Sequence, residues 1–332
     1  MSIEWKPIEP AHTHEWARLS NLLADAEGTG ERYGAEDLAE ELHEATVNPA
    51  LDTIGVWDGG QMVAYGQLRI ACHARGDGAT AFLAGGVHPG WRGLGIGRAV
   101  MDWIELRAEE LAAVRHGGAL GTLSLWAGEP RSGSARIAEA RGYRPSRFLH
   151  DLRLDLTAWP AARTSIRSRP VEVSALRLPL DPADPVLIEG VRRAHHDAFA
   201  EHRGVPTRDP QSWAAQLGAA CFRPQLSRAA LSPLRDIPLE DAVESYVLCS
   251  EHEPGELYVF LVGTRRHARG RGLATVLLKE VLAAAKAAGY RNATLGVEAA
   301  TESGGLGLYL PLGFENARTG VVYERPMRVR QA

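Results

Sequence analysis

One turn occurs twice in this chain, in the same setting. Arg92-Gly-Leu-Gly-Ile-Gly97 and Arg269-Gly-Arg-Gly-Leu-Ala274 share the pattern Arg-x-x-Gly-x-(Gly or Ala), at an offset of 177 residues (269 − 92). Apolar runs precede them, Ala79 to Val87 and Leu257 to Val262, and amphipathic runs follow, Arg98 to Ala113 and Thr275 to Lys286. Each copy therefore reads as strand, glycine-rich turn, helix. The first N–H groups of a helix have no partner inside it, and the helix dipole favours negative charge there. Glycines let backbone approach a ligand with no Cβ in the way. The pattern predicts an anion site, specifically one for the pyrophosphate of a coenzyme.

The repeat extends beyond the turn. The same offset places Gly86-Val87 on Gly263-Thr264. Short strands are expected later in each half, Thr122 to Trp126 and Ala293 to Val297. Each precedes a helix candidate ending in Gly-aromatic, Gly142-Tyr143 and Gly313-Phe314. Two homologous halves follow, at 1–158 and 164–332, with the join near Ala158 to Arg169.

Other elements are read from periodicity and turn residues. The first half starts with a strand over Trp5 to Pro10. Helices are predicted at Ala11 to Ala26 and Ala35 to Glu44, and strands at Leu51 to Trp57 and Gln61 to Ile70. Phe148 to Leu156 reads as its last strand. In the second half Leu178 to Pro185 reads as a loop, followed by helices at Val186 to Phe199 and Gln211 to Leu217. Ser232 to Leu239 reads as irregular. Asp241 to Glu251 and Glu256 to Val262 read as a hairpin across Glu253-Pro-Gly255.

With 332 residues, 45% hydrophobic, the chain can build two cores. A net charge of −4 gives no reason to expect nucleic acid or a membrane as partner. No apolar run approaches the roughly 18 residues of a membrane helix. Met1 to Pro7 has no basic region leading into an apolar core, so a cytoplasmic protein is expected. The three cysteines, Cys72, Cys221 and Cys249, lack zinc or redox spacing. His195, His196 and His202 do not form a ligand set, since adjacent helical histidines point apart, so no metal is expected.

At these residues the chain resembles the GCN5-related N-acetyltransferase (GNAT) superfamily, in its tandem form. The matching signature is the strand, Arg-x-x-Gly-x-(Gly or Ala), the helix, and the downstream helix-borne Leu308-Tyr-Leu-Pro-Leu-Gly-Phe314. The resemblance implies an α/β fold: two tandem GNAT-like domains, each a splayed mixed β-sheet flanked by helices. It implies acetyl-CoA, or another acyl-CoA, as co-substrate. By family pattern the coenzyme arm pairs with the strand carrying Val262, Gly263 and Thr264. The pyrophosphate sits on Arg269, Gly270, Arg271, Gly272, Leu273 and Ala274. In the first half, Val87, Arg92, Gly93, Leu94, Gly95, Ile96 and Gly97 match.

Acyl transfer to an amine needs a base for the amine, donors for the developing oxyanion and an acid for the departing sulfur. Glu256 is the candidate base. Gly255-Glu-Leu-Tyr-Val is also similar to the corresponding strand of the mycothiol synthases, whose matching glutamate is proposed as a base. Glu251 and Glu253 are the nearest substitutes. Tyr309, four residues before Gly313, is the candidate acid by family pattern. Under the 177 offset Glu256 falls on Ala79, and the position four before Gly142 is Ala138. The first half is therefore expected to bind acyl-CoA or serve structurally, and the second to catalyse. Phe199, His202 and Arg203 are candidate contacts for a small-molecule or peptide-like amine acceptor. The reading from another class is a non-catalytic acyl-CoA-binding regulatory module.

Overall fold

A computed structural model describes residues 3–29, 31–43, 47–70, 79–116, 121–159, 176–200, 209–233, 237–300 and 305–327. The chain forms two compact units. Unit 1 is Met1–Leu149 with Ala299–Glu302 and Thr319–Ala332; unit 2 is His150–Glu298 with Ser303–Arg318.

The first 143 residues supply β1 (Ile3–Lys6), α1 (Thr13–Glu27), α2 (Ala35–Leu42), α3 (Pro49–Asp52), β2 (Thr53–Asp58), β3 (Gln61–Ile70), β4 (Ala79–Val87), α4 (Ile96–His116), β5 (Gly121–Trp126) and α5 (Gly133–Ala140). β6 (Arg144–Asp155) then runs from unit 1 into unit 2. Next come β7 (Leu176–Pro179), α6 (Pro185–Phe199), α7 (Pro210–Leu217), β8 (Arg228–Leu231), α8 (Leu239–Ala242), β9 (Val243–Ser250), β10 (Glu256–Thr264), α9 (Leu273–Ala287) and β11 (Asn292–Ala299). β12 (Glu315–Pro326) begins in unit 2 and ends in unit 1.

The strand order repeats between the units. Unit 1 runs β1-β2-β3-β4-β5 and continues into β12; unit 2 runs β7-β8-β9-β10-β11 and continues into β6. Each therefore takes its sixth strand from the other half of the sequence. Among the first five strands of each unit only β4–β5 and β10–β11 pair in parallel; the other pairs, and β5–β12, are antiparallel. A mixed sheet with helices is thus present in each unit.

Local chemistry explains the elements. All eight residues of β9 are buried, as a strand covered on both faces requires. In α9, Leu273, Leu277, Leu278, Val281, Leu282 and Ala285 are buried at helical spacing against Leu257 and Val259 of β10. In unit 1, Ile104, Ala108 and Leu111 of α4 bury Ala79, Ala81 and Leu83 of β4. Asp184 caps α6 through the N–H groups of Val186 and Leu187, with Pro185 opening the helix.

Several expectations change. The first strand is Ile3–Lys6 rather than Trp5 to Pro10, because Pro7 and Pro10 lack the N–H a ladder needs. Leu178 to Pro185 is not simply a loop, since Leu178 and Pro179 end a strand paired with β8. β8 itself, Arg228–Leu231, carries no alternating signal. The Leu308 to Phe314 element is not an α-helix. It forms two 3-10 turns, Leu306–Leu308 and Leu310–Leu312, with Gly305 left-handed at φ 75° and Pro311 unable to donate.

Candidate functional site

The repeated turns have one geometry. Gly93 and Gly95 lie at φ 80° and 84°, Gly270 and Gly272 at φ 74° and 77°. These left-handed conformations are where a side chain costs most. A 3-10 turn precedes each, Pro89–Trp91 and Arg266–Ala268, and the helices start at Ile96 and Leu273, all at the offset of 177. Among the described residues, the N–H groups of 93–97 and 270–274 have no hydrogen-bond partner. Each unit thus presents a row of open donors at a helix N-terminus.

The pattern's arginines are exposed but bond back to the strand ends. Arg92 Nε donates to the Val87 carbonyl at 3.1 Å, and Arg269 Nε to the Thr264 carbonyl at 3.4 Å. Their other nitrogens bond Glu27 at 2.8 Å and the Ala198 carbonyl at 2.8 Å. Both brace the strand end to the helix before it. Asp197 also accepts the Arg266 N–H at 2.9 Å, so the end of α6 supports the second turn. Arg271 pairs with the buried Glu244 at 2.9 Å.

Beside each turn the sheet opens. β4 pairs with β5 only from Ala79↔Gly121 to Leu83↔Leu125, leaving Ala84 to Val87 unpaired on that edge. β10 pairs with β11 only from Glu256↔Asn292 to Tyr258↔Thr294, leaving Val259 to Thr264 unpaired on that edge, where Val262, Gly263 and Thr264 stand. In unit 1 the opening holds a cavity of about 510 Å³, lined by Val87, Arg92 to Gly97 except Leu94, Arg98, Trp126 and Arg136. Leu94 projects outward and is exposed.

β10 differs from β4 in its register with the preceding strand. Its ladder with β9 slips between Val259 and Leu261, so Phe260 is the extra residue of a bulge. Side chains face opposite ways in alternation. Leu257 and Val259 face α9, as Ala79, Ala81 and Leu83 face α4. Ahead of the bulge the true offset is therefore 176, and Glu256 corresponds to Thr80, correcting the Ala79 match. Past the bulge the offset returns to 177.

Glu256 opens β10 on the face away from α9, half-buried. Thr294 Oγ1 donates to its Oε1 at 3.3 Å, and Arg153 Nη2 lies 3.9 Å from its Oε2. Tyr258 shares that face. Glu251 is otherwise occupied. It accepts from Tyr290, Arg223 and the Gly255 N–H, which hold its carboxyl down at about 2. Glu251 locks the hairpin. Tyr309 packs edge-on to Phe314 at 6.1 Å between centroids, and burial lifts its hydroxyl to about 12.

Phe199 ends α6, its ring 4.8 Å from that of His195. His195 is buried, with Nδ1 2.6 Å from the Tyr246 hydroxyl. His202 and Arg203 lie outside the described residues. Among the described residues no three His, Cys, Asp or Glu side chains are placed to hold a metal ion, and no helix is long and apolar enough to cross a membrane. The bulge, Thr294 and Tyr258 were not picked out from sequence. The offset conceals the bulge, because β4 and β10 are equally long.

Known proteins place the chain. It is 29% identical over 308 residues to a mycothiol acetyltransferase from Clavibacter michiganensis subsp. michiganensis, covering 89% of each. A GCN5-related N-acetyltransferase from Sphaerobacter thermophilus has the same fold, with TM-score 0.70 at 22% identity over 98% of this chain and 96% of that one. A tandem GNAT protein from the clavulanic acid biosynthesis pathway gives TM-score 0.58 at 22% identity over 99% and 100%. The profile of the Acetyltransferase (GNAT) family matches residues 16–143 and 201–314. The chain belongs to the GNAT acetyltransferase family, in its tandem form.

Proposed function

We propose that the protein is an acyl-CoA-dependent N-acyltransferase, moving an acetyl group from acetyl-CoA to the primary amine of a small-molecule or peptide-like acceptor. The halves 1–158 and 164–332 divide the labour: the second catalyses, and the first binds acyl-CoA or serves structurally. One observation carries this reading. Glu256 stands on the open face of a strand that leads, past its splay from β11, to a row of unpartnered amides.

The residues fit such a coenzyme. The amides of Gly270 to Ala274 would hold the pyrophosphate, and the unpaired edge of Val262 to Thr264 would pair with an amide-bearing arm. When bound, the coenzyme supplies an activated thioester. Glu256 takes the proton from the attacking ammonium or amine. The bulge at Phe260 breaks the ladder where a backbone donor toward the carbonyl is needed. Tyr309, kept protonated by burial, gives a proton to the sulfur.

Release of free CoA from acetyl-CoA across a panel of amines tests this. Amine-dependent release supports it; tight acetyl-CoA binding with no release on any amine would favour a non-catalytic acyl-CoA-binding module. The relative from Clavibacter favours a narrower version, a mycothiol-acetyltransferase-like enzyme, which an assay of acetyl transfer to unacetylated mycothiol would test.

A further inference from the structure

We propose that Gly296 determines which acceptors unit 2 takes, because it leaves open a place that a tryptophan fills in unit 1. The proposal rests on unit 2 being the acyl-transfer unit. Its ground is an internal comparison fixed by strand pairing. Tyr258↔Thr294 in unit 2 corresponds to Phe82↔Ser124 in unit 1 once the bulge is counted. Two residues further along, β5 ends in Trp126 and β11 carries Gly296. Both lie on the face away from α4 or α9, since Leu123 and Leu125, or Ala293 and Leu295, fill the helix side.

Trp126 is 38% exposed and walls the cavity beside the first turn. Its ring lies on Gly320, where any Cβ would collide with it. Gly296 is exposed, and its backbone is not left-handed. A Cβ added there meets only the Tyr258 hydroxyl, at an ordinary 3.7 Å. Nothing in the strand demands glycine at this position. What the residue provides is space at the mouth of the splay.

The position of that space points to the acceptor. A pyrophosphate on the amides at the N-terminus of α9 brings the donor in from the α9 side. The opposite face is left for the amine. That face carries Glu256, its Thr294 partner, Tyr258 and Gly296. Among the described residues the Tyr258 hydroxyl has no hydrogen-bond partner, and it stands over Gly296. The fitting acceptor is an amine whose substituent lies across Gly296 and offers a hydroxyl or amide to Tyr258. In unit 1 the same path meets Phe82 and Trp126, with no carboxylate at Thr80.

The series Gly296→Ala, Gly296→Val and Gly296→Trp tests this. Acetyl-CoA is the donor, with ethanolamine, glycinamide, glucosamine and a dipeptide as acceptors. We expect kcat/KM to fall stepwise, more than tenfold at tryptophan, and most for the largest amine. Acetyl-CoA affinity by calorimetry and the melting temperature should hold. Should the tryptophan variant not fold, the valine variant carries the test. Unchanged kcat/KM on every amine, or an equal loss on all of them, overturns the proposal. Glu256→Gln is assayed in parallel. If it keeps full turnover, or if the unsubstituted protein turns over none of the amines, the underlying reading falls and the proposal with it.

Discussion

The two strands leading into the two turns carry different chemistry on one skeleton. Both lead into left-handed glycines, an arginine bonded back to the strand's last carbonyl and unpartnered amides. Both part from their parallel neighbour before they end. Yet where unit 2 has Glu256, Tyr258 and Gly296, unit 1 has Thr80, Phe82 and Trp126, and where unit 2 has Tyr309, unit 1 has Ala138. The strand end, turn and helix start follow from packing and glycine geometry, so they persist whether or not a half reacts anything. In the proposed reading, chemistry is decided on the other face of the sheet, by side chains the turn does not constrain.

The most direct way to break this asymmetry is at the carboxylate. Glu256→Gln should lower kcat by about 10²–10⁴-fold while acetyl-CoA affinity holds. Thr80→Val should not alter turnover. A reversed pattern in steady-state assays would place catalysis in unit 1.

Next comes Tyr309→Phe, expected to cost on the order of 10²-fold in kcat with donor binding intact. It also has a stability signature. The folded hydroxyl titrates at about 12 against an ordinary 10.0. The folded state therefore holds this proton more tightly, which adds stability present below pH 10 and lost as pH rises toward 12. Melting temperatures across that window should fall less for Tyr309→Phe than for the parent.

Smaller effects sharpen the comparison of the turns. Gly270→Ala and Gly93→Ala each force a Cβ into a left-handed turn, at about 1–2 kcal/mol. Each should weaken acetyl-CoA binding in its own unit alone. Calorimetric stoichiometry with the two variants then states how many units bind coenzyme.

Smallest is Glu251→Gln. The Glu251 carboxyl is held at about 2 against 4.5, so its contribution is present above pH 4.5 and lost as pH falls toward 2. Urea midpoints at pH 6 and pH 3 should differ less in the variant than in the parent.

Much of this was legible in the sequence. The duplicated turn, its strands and its helices rest on local spacing, whereas Glu256 and Tyr309 became candidates through the family resemblance. What escaped depends on tertiary pairing. The Phe260 bulge adds a residue without lengthening β10, so an offset between halves passes over it. Gly305, Gly307 and Pro311 deny an α-helix to a segment that otherwise carries the family pattern. The end of β6 alternates like any strand, and alternation does not state which strand it pairs with.

That last point has a consequence in time. In the finished protein β5 has β4 on one side and β12 on the other. During synthesis roughly 170 residues, from Leu149 to Thr319, separate the main segment of unit 1 from the part of β12 it needs. At about 5–20 residues per second the ribosome takes on the order of 10–35 s to make them. Through that interval β5 is an uncovered edge able to pair with a neighbouring nascent chain. The earliest-made half of the molecule is thus the last to be completed.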